Sequence, residues 1–172
     1  MTSKNFFNAL ANGKVDVIKE FLDLLSQLNI DYCVIGGLAV NAYAEPVVSM
    51  DLDLVLTLVD TDKLIEEAKS IFNVEKFSHS INLAHPQSDL RIQLQTDPRY
   101  QYFIANAVEK QVLGYDLRVA KLEDVLQGKL WAYQDEERRK SKRQKDLADI
   151  MRLVETHQHL YDLLPEQVKA LL

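Results

Sequence analysis

The stretch Tyr32-Cys33-Val34-Ile35-Gly36-Gly37-Leu38-Ala39-Val40-Asn41-Ala42-Tyr43-Ala44-Glu45-Pro46-Val47-Val48-Ser49-Met50-Asp51-Leu52-Asp53-Leu54-Val55-Leu56-Thr57-Leu58 decides how the chain is read. An apolar run ends in Gly36-Gly37, a short helix-like segment follows, and an apolar strand then carries Asp51 and Asp53. Residues i and i+2 of a strand point to one face, so the two carboxylates stand about 7 Å apart. At an effective dielectric of about 20 they repel by about 2 kcal/mol. A cation between them rationalises the placement. Mg²⁺ suits it, because that ion prefers hard oxygen ligands and commonly takes one or two carboxylates plus substrate phosphates. Glycine permits unusual φ and close backbone approach, and a helix N-terminus just behind it favours phosphate. The competing reading is a tight strand-to-helix turn followed by an ordinary strand with two exposed acids.

Working outward, helices are expected over residues 5 to 12 and 15 to 28. The second carries a broad apolar face of Val17, Ile18, Phe21, Leu22, Leu24, Leu25 and Leu28, with Asn29 as its stop. Strands follow at 31 to 35 and 50 to 58, with a short helix at 38 to 44 between them. Asp60 or Thr61 can cap a helix over 62 to 72. Residues 74 to 84 read as one strand, or as a hairpin broken near Ser78-His79-Ser80. Leu90, Ile92 and Leu94 alternate with Asp89, Arg91, Gln93 and Gln95, which is a half-buried strand. Asp97-Pro98 starts a helix over 98 to 107. A strand at 116 to 120 follows a Gly114-Tyr115 turn, and helices are expected over 122 to 137, 141 to 157 and 165 to 171. The order is α+β: a small mixed sheet with helices over residues 1 to 120, and a helical extension packed on it over 121 to 172.

At 172 residues, 47% hydrophobic and 27% charged, the chain is long and apolar enough for a packed core. No apolar run approaches the roughly 20 residues that span a membrane. The N-terminal residues lack a signal-peptide pattern. The one cysteine, Cys33, has no intramolecular partner and reads as a small buried hydrophobe. A cytoplasmic location is the expectation. The net charge of −6 argues against a protein that coats nucleic acid. Residues 138 to 145 nonetheless hold six basic side chains and no acid, leaving −12 elsewhere. Such a segment fits a bound polyanion such as a triphosphate, or else a solvated helix face.

The run Ile35-Gly36-Gly37, thirteen spacer residues, then Asp51-Leu52-Asp53-Leu54 resembles the signature of the nucleotidyltransferase superfamily, the polymerase β-like fold. The spacer is long for that pattern. The resemblance covers about residues 15 to 120. It implies that Gly36 and Gly37 let the backbone approach a nucleoside triphosphate while Asp51 and Asp53 hold Mg²⁺ or Mn²⁺. Many relatives carry a basic residue and a Thr or Ser before the acids. Here Ser49 matches and joins the nucleotide-binding set, while Val47-Val48 supply no base. The family usually adds a third carboxylate on a neighbouring strand, between two hydrophobic residues. That place is held by Gln93, between Ile92 and Leu94. Asp89 falls on the same face by period two, about 13 Å along an extended strand. Three readings stay open: Asp89 is the third catalytic acid; Asp51 and Asp53 act alone with a base from elsewhere; or catalysis has been lost.

Lys129-Leu130-Trp131-Ala132-Tyr133 and Lys142-Arg143-Gln144-Lys145-Asp146-Leu147-Ala148-Asp149-Ile150 resemble the tail of abortive-infection-type nucleotidyltransferase toxins. The resemblance implies that Lys129 and Lys145, or a basic neighbour, face the triphosphate, with Asp146 as positioner or base. The alternative is a helix with surface pairs Lys142–Asp146 and Lys145–Asp149, each worth a few tenths of a kcal/mol, and a packing stripe of Leu147, Ile150, Met151 and Val154. Taken together, the resemblances imply transfer of a nucleoside monophosphate from a nucleoside triphosphate to an acceptor hydroxyl, with release of pyrophosphate. The acceptor is left open among RNA, protein and small molecule, and toxin–antitoxin-like biology is an analogy of fold. The alternative function is a catalytically inactive nucleotide-binding or partner-binding domain.

Overall fold

A computed structural model describes residues 2–172. Its order is α1 (Ser3–Leu10), α2 (Val17–Gln27), β1 (Tyr32–Ile35), α3 (Gly36–Val40), β2 (Asp51–Leu56), α4 (Thr61–Ala68), β3 (Asn73–Lys76), β4 (Ser80–Ala84), β5 (Arg91–Gln95), α5 (Tyr102–Ala105), β6 (Val108–Val112), β7 (Tyr115–Val119), α6 (Leu122–Gln134), α7 (Lys140–Thr156) and α8 (Glu166–Lys169). One mixed seven-stranded sheet runs β3-β4-β5-β2-β1-β7-β6. The α+β expectation holds.

Strand alternation gives the sheet two unlike faces. Leu52, Leu54 and Leu56 of β2 are buried; Leu52 and Leu54 align with Ile92 and Leu94 of β5, which in turn align with Leu83 and Ile81 of β4. Their neighbours Asp51, Asp53, Arg91, Gln93 and Gln95 therefore project from the opposite face. Below, α2 buries Val17, Ile18, Phe21, Leu24 and Leu25, and α4 buries Leu64, Ile65 and Ala68. Phe21 meets Phe72 edge-on at 6.1 Å, tying the end of α4 to this core. Asp16 caps α2 by accepting the Lys19 amide, and Asn29 ends it at φ +55°.

Several local expectations shift. The 74–84 segment is a hairpin, β3 and β4. The 98–107 helix divides into a 3-10 turn at Pro98–Tyr100 and the short α5. Strand β6 is an addition: Val108-Glu109-Lys110-Gln111-Val112 is a mostly exposed sheet edge. It joins β7 through the two-residue turn Leu113-Gly114, both at positive φ, which matches the twist of the flanking strands. Asp89 lies in a bend before β5 rather than on the strand, because its amide donates to Ala11 O and its carboxylate accepts from Asn12 Nδ2 at 2.6 Å.

Candidate active site

Antiparallel pairing sets Ile35 of β1 beside Asp53 of β2, and parallel pairing sets Gln93 of β5 beside Asp53 on its other side. Asp51 and Asp53 thus share one face where β1 turns into α3. Gly36 makes that turn at φ +70°. A Cβ there would overlap the Asp53 carboxylate, so only glycine meets both the backbone and the space requirement. Gly37 faces Ser49, whose Oγ would lie 3.3 Å from an added Cβ, and Ser49 is buried. Ser49 therefore wedges the turn against the residues leading into β2.

The two acids have different surroundings. Asp51 is paired: Arg91 donates Nε at 2.8 Å and Nη2 at 2.7 Å to Oδ1, and Lys142 Nζ lies 3.7 Å from Oδ2. Among the described residues Asp53 has no hydrogen-bond or ion-pair partner. Burial pushes its carboxyl up to about 6, against the pull of Lys129; the Asp51 charge adds to the rise, and Arg138 and Lys142 oppose it.

Above Asp53 lies a cavity of about 100 Å³. It is walled by Gly36, Asp53 and Gln93 from the sheet, Tyr100 and Phe103 from the segment after β5, and Asp124, Lys129, Arg138 and Asp146 from the C-terminal part. Tyr100 and Phe103 pack edge-on at 5.2 Å, and Trp131 stacks on Phe103 at 5.9 Å. Tyr100 and Phe103 form the wall, and Trp131 backs it from outside the lining.

Helices α6 and α7 are clamped by a buried ion network. Lys129 Nζ sits 3.0 Å from Asp146 Oδ1 and 2.7 Å from Asp149 Oδ2. Arg138 Nε reaches Asp146 Oδ2 at 2.7 Å, and Arg152 Nη1 reaches Asp149 Oδ1 at 2.8 Å. Arg152 also donates to Asn41 Oδ1 and to the Glu45 carbonyl, fastening α7 to the segment between α3 and β2. Burial alone would lower Lys129, but the Asp149 and Asp146 carboxylates outweigh it and hold the ammonium above its ordinary value. The surface pairs Lys142–Asp146 and Lys145–Asp149 are not formed, because both acids are buried against Lys129 instead.

The geometry therefore gathers Gly36, Asp53, Lys129 and Asp146 around one cleft, with Asp51 on the same strand face as Asp53; Gly37 and Ser49 face each other, and Ser49 lines a separate cavity with Phe7 and Asn41. It does not gather Asp89, which is tied to Asn12, or Lys145, which is exposed and outside the cavity wall. Of the basic run 138–145, only Arg138 and Lys142 reach the acids; Arg143 instead donates to the Tyr133 carbonyl. Arg91 and Asp124 were not anticipated. Arg91 had a signal, since the residue two before Gln93 lies beside Asp51 in a parallel register. Asp124, in the first turn of α6, had none.

Two carboxylates and the Gln93 amide are hard oxygen donors, and the unpartnered Asp53 carboxylate beside the Gly36 cradle suits a divalent cation. The set fits Mg²⁺ or Mn²⁺ on condition that substrate oxygens complete the shell. Among the described residues no group of three or more His, Cys, Asp or Glu forms a ready-made metal cage.

The sequence matches no protein-family model and no curated protein. Solved structures do match the fold. ANT(2'')-Ia, in complex with adenylyl-2''-tobramycin, aligns over 90% of this chain and 92% of its own at 18% identity and TM-score 0.60. The lincosamide antibiotic adenylyltransferase LnuA, lincomycin-bound, aligns over 82% and 98% at 12% identity and TM-score 0.56. An antigenic nucleotidyltransferase-like protein from Paracoccidioides brasiliensis aligns over 90% and 78% at 21% identity and TM-score 0.54. The chain has the fold of the nucleotidyltransferase superfamily. Among the described residues no helix is long and apolar enough to cross a membrane.

Proposed function

We propose that the protein transfers a nucleoside monophosphate from a nucleoside triphosphate to an acceptor hydroxyl, releasing pyrophosphate. One observation carries the reading: Asp51 and Asp53 stand on one strand face, with the Asp53 carboxylate pressed against a glycine turn, on a nucleotidyltransferase fold. Asp51 and Asp53 would hold Mg²⁺ or Mn²⁺, which when bound supplies electrophilic stabilisation of the phosphate oxygens. Gly36 and Gly37 offer a backbone that a phosphate can approach closely. Arg138 and Lys142 stand on the C-terminal side of the acids and provide positive charge for the triphosphate.

The acceptor's proton needs a base. Three carboxylates line the cavity: Asp53, Asp124 and Asp146. Asp146 is occupied by Lys129 and Arg138, and Asp53 is assigned to the metal. Asp124 remains. It is buried, is bonded only to Asn106 Nδ2 at 3.3 Å, and burial raises its pKa. A raised carboxyl pKa suits a general base better than an ordinary one. We assign the base to Asp124, the acceptor to a molecule bearing a free hydroxyl, and the site of action to the cytoplasm.

A second reading, a nucleotide-binding domain without transfer, is favoured by Gln93. That neutral amide lies in register beside Asp53, where relatives carry an acid. The two readings separate in one experiment. Protein is incubated with each α-³²P-labelled nucleoside triphosphate, Mg²⁺ and pools of RNA, proteins and small hydroxyl compounds, while pyrophosphate is measured. Label transfer with matching pyrophosphate supports the enzyme. Metal-dependent binding with no transfer on any pool supports the second reading.

A further inference from the structure

Three observations fix the charge that this site offers a divalent cation. Both oxygens of Asp51 already face cations, Arg91 on Oδ1 and Lys142 on Oδ2. The residue in register with Asp53 on β5 is the neutral Gln93. Among the described residues no further His, Cys, Asp or Glu joins the pair to make a metal-holding group. Two acids and two cations leave the Asp51–Asp53 pair without net charge before any metal arrives. A pair of dications held about 3.5–4 Å apart is stabilised by anionic charge around it, and the Asp51–Asp53 pair adds none to what the triphosphate and the cavity carboxylate Asp124 bring.

Arg91 is placed by the fold. The β2–β5 ladder sets its Cα beside that of Asp51. Its guanidinium is always charged and donates to phosphate oxygens as readily as to carboxylates. The side chain is 60% exposed, so its pair with Asp51 is a weak surface contact that a triphosphate can take over.

We propose that the site takes one divalent cation per bound triphosphate rather than two, and that Arg91 and Gln93 set that count. Arg91 supplies, as a fixed side chain, positive charge that a second metal would otherwise bring. The substrate complex is thus a single-metal nucleoside triphosphate held partly by protein cations. This inference rests on the nucleotide-site reading above.

Native mass spectrometry of the full chain with Mn²⁺ and a nucleoside α,β-methylene triphosphate, which cannot release pyrophosphate, counts the metals directly. Wild type is expected to carry the analogue with one Mn²⁺, and the double variant Arg91→Ala with Gln93→Asp to carry it with two. Two Mn²⁺ in wild type overturns the inference while leaving the nucleotide site standing. No analogue binding overturns both. One Mn²⁺ in both proteins shows that Arg91 and Gln93 do not set the count, and overturns the assignment. Arg91→Ala alone removes an exposed side chain and keeps the fold. Without nucleotide, its Mn²⁺ affinity, read as free Mn²⁺ by electron paramagnetic resonance, is expected to rise by about tenfold as one competing charge is lost. Unchanged affinity contradicts a role for Arg91 toward the metal.

Discussion

Gly36 and Asp53 constrain each other more tightly than any other pair in the site. Gly36→Ala meets a positive φ and an occupied volume at once, a combination that costs about 1–3 kcal/mol. We expect a lowered melting temperature and loss of Mg²⁺-dependent triphosphate binding, both read by thermal shift. Asp53→Asn acts the other way on stability. The folded pKa of about 6 lies above the ordinary 3.8, so the carboxyl is easier to ionise in the unfolded chain. The native state then carries a cost that is absent below both values, grows between them and is complete above the higher one. The metal-free variant should therefore exceed wild type by up to roughly 3 kcal/mol above pH 6, and match it below pH 4, in urea titrations across pH. A constant difference at all pH values would contradict the burial of that charge. Asp124→Asn is expected to keep triphosphate affinity and to lose about 10²–10⁴-fold in transfer rate. The Gly-Gly turn, the Asp pair and the neutral Gln93 were legible in sequence because each is a local pattern. The Arg91–Asp51 contact was legible only through the β2–β5 register that also sets Gln93 beside Asp53, and the Asn12–Asp89 bond was not legible, since residues 77 positions apart meet only once the chain is folded.

At the scale of elements, α6 and α7 decide what stands over the sheet. Their contact is ionic at its centre, and Lys129 holds two carboxylates that are almost wholly buried. Lys129→Met should remove the buried cation the two acids share and leave each with only its arginine, Arg138 on Asp146 and Arg152 on Asp149, a loss of up to about 3–5 kcal/mol, measured as a fall in the urea midpoint. Lys142 and Lys145 are only three residues apart yet differ in reach: the first meets Asp51, and the second is exposed away from the cavity. Lys142→Glu should weaken triphosphate binding, more so at low salt than at high salt, and Lys145→Glu should leave it within about twofold, as judged against the small energies of exposed charges. Equal effects would contradict the placement of α7. The helices themselves were readable from their apolar periodicity. Their ion network was not, because the alternation of Lys and Asp along α7 also satisfies the i,i+4 rule for a solvated face. Strand β6 leaves no mark in the sequence for a related reason: as an edge strand its side chains are mostly polar and exposed, so no alternation distinguishes it.

For the molecule as a whole, one sheet serves two purposes. Its leucine-rich face closes the core on α2 and α4, and its other face carries the acids under a lid of C-terminal helices. The same period of two that buries Leu52 and Leu54 in the core turns Asp51 and Asp53 to the opposite face, so packing and chemistry are specified by one strand. The chain's net charge of −6 is locally offset where Arg91, Arg138 and Lys142 gather on Asp51 and Asp146, which lowers the barrier to an anionic ligand there. The central claim is that Asp51 and Asp53 form a metal-dependent triphosphate site. It is tested most directly by isothermal titration of nucleoside triphosphates, with and without Mg²⁺, into wild type and into the double variant Asp51→Asn with Asp53→Asn. The account predicts Mg²⁺-strengthened binding in wild type, and a folded double variant in which Mg²⁺ makes no difference. Equal Mg²⁺-dependent affinity in the two proteins would contradict it.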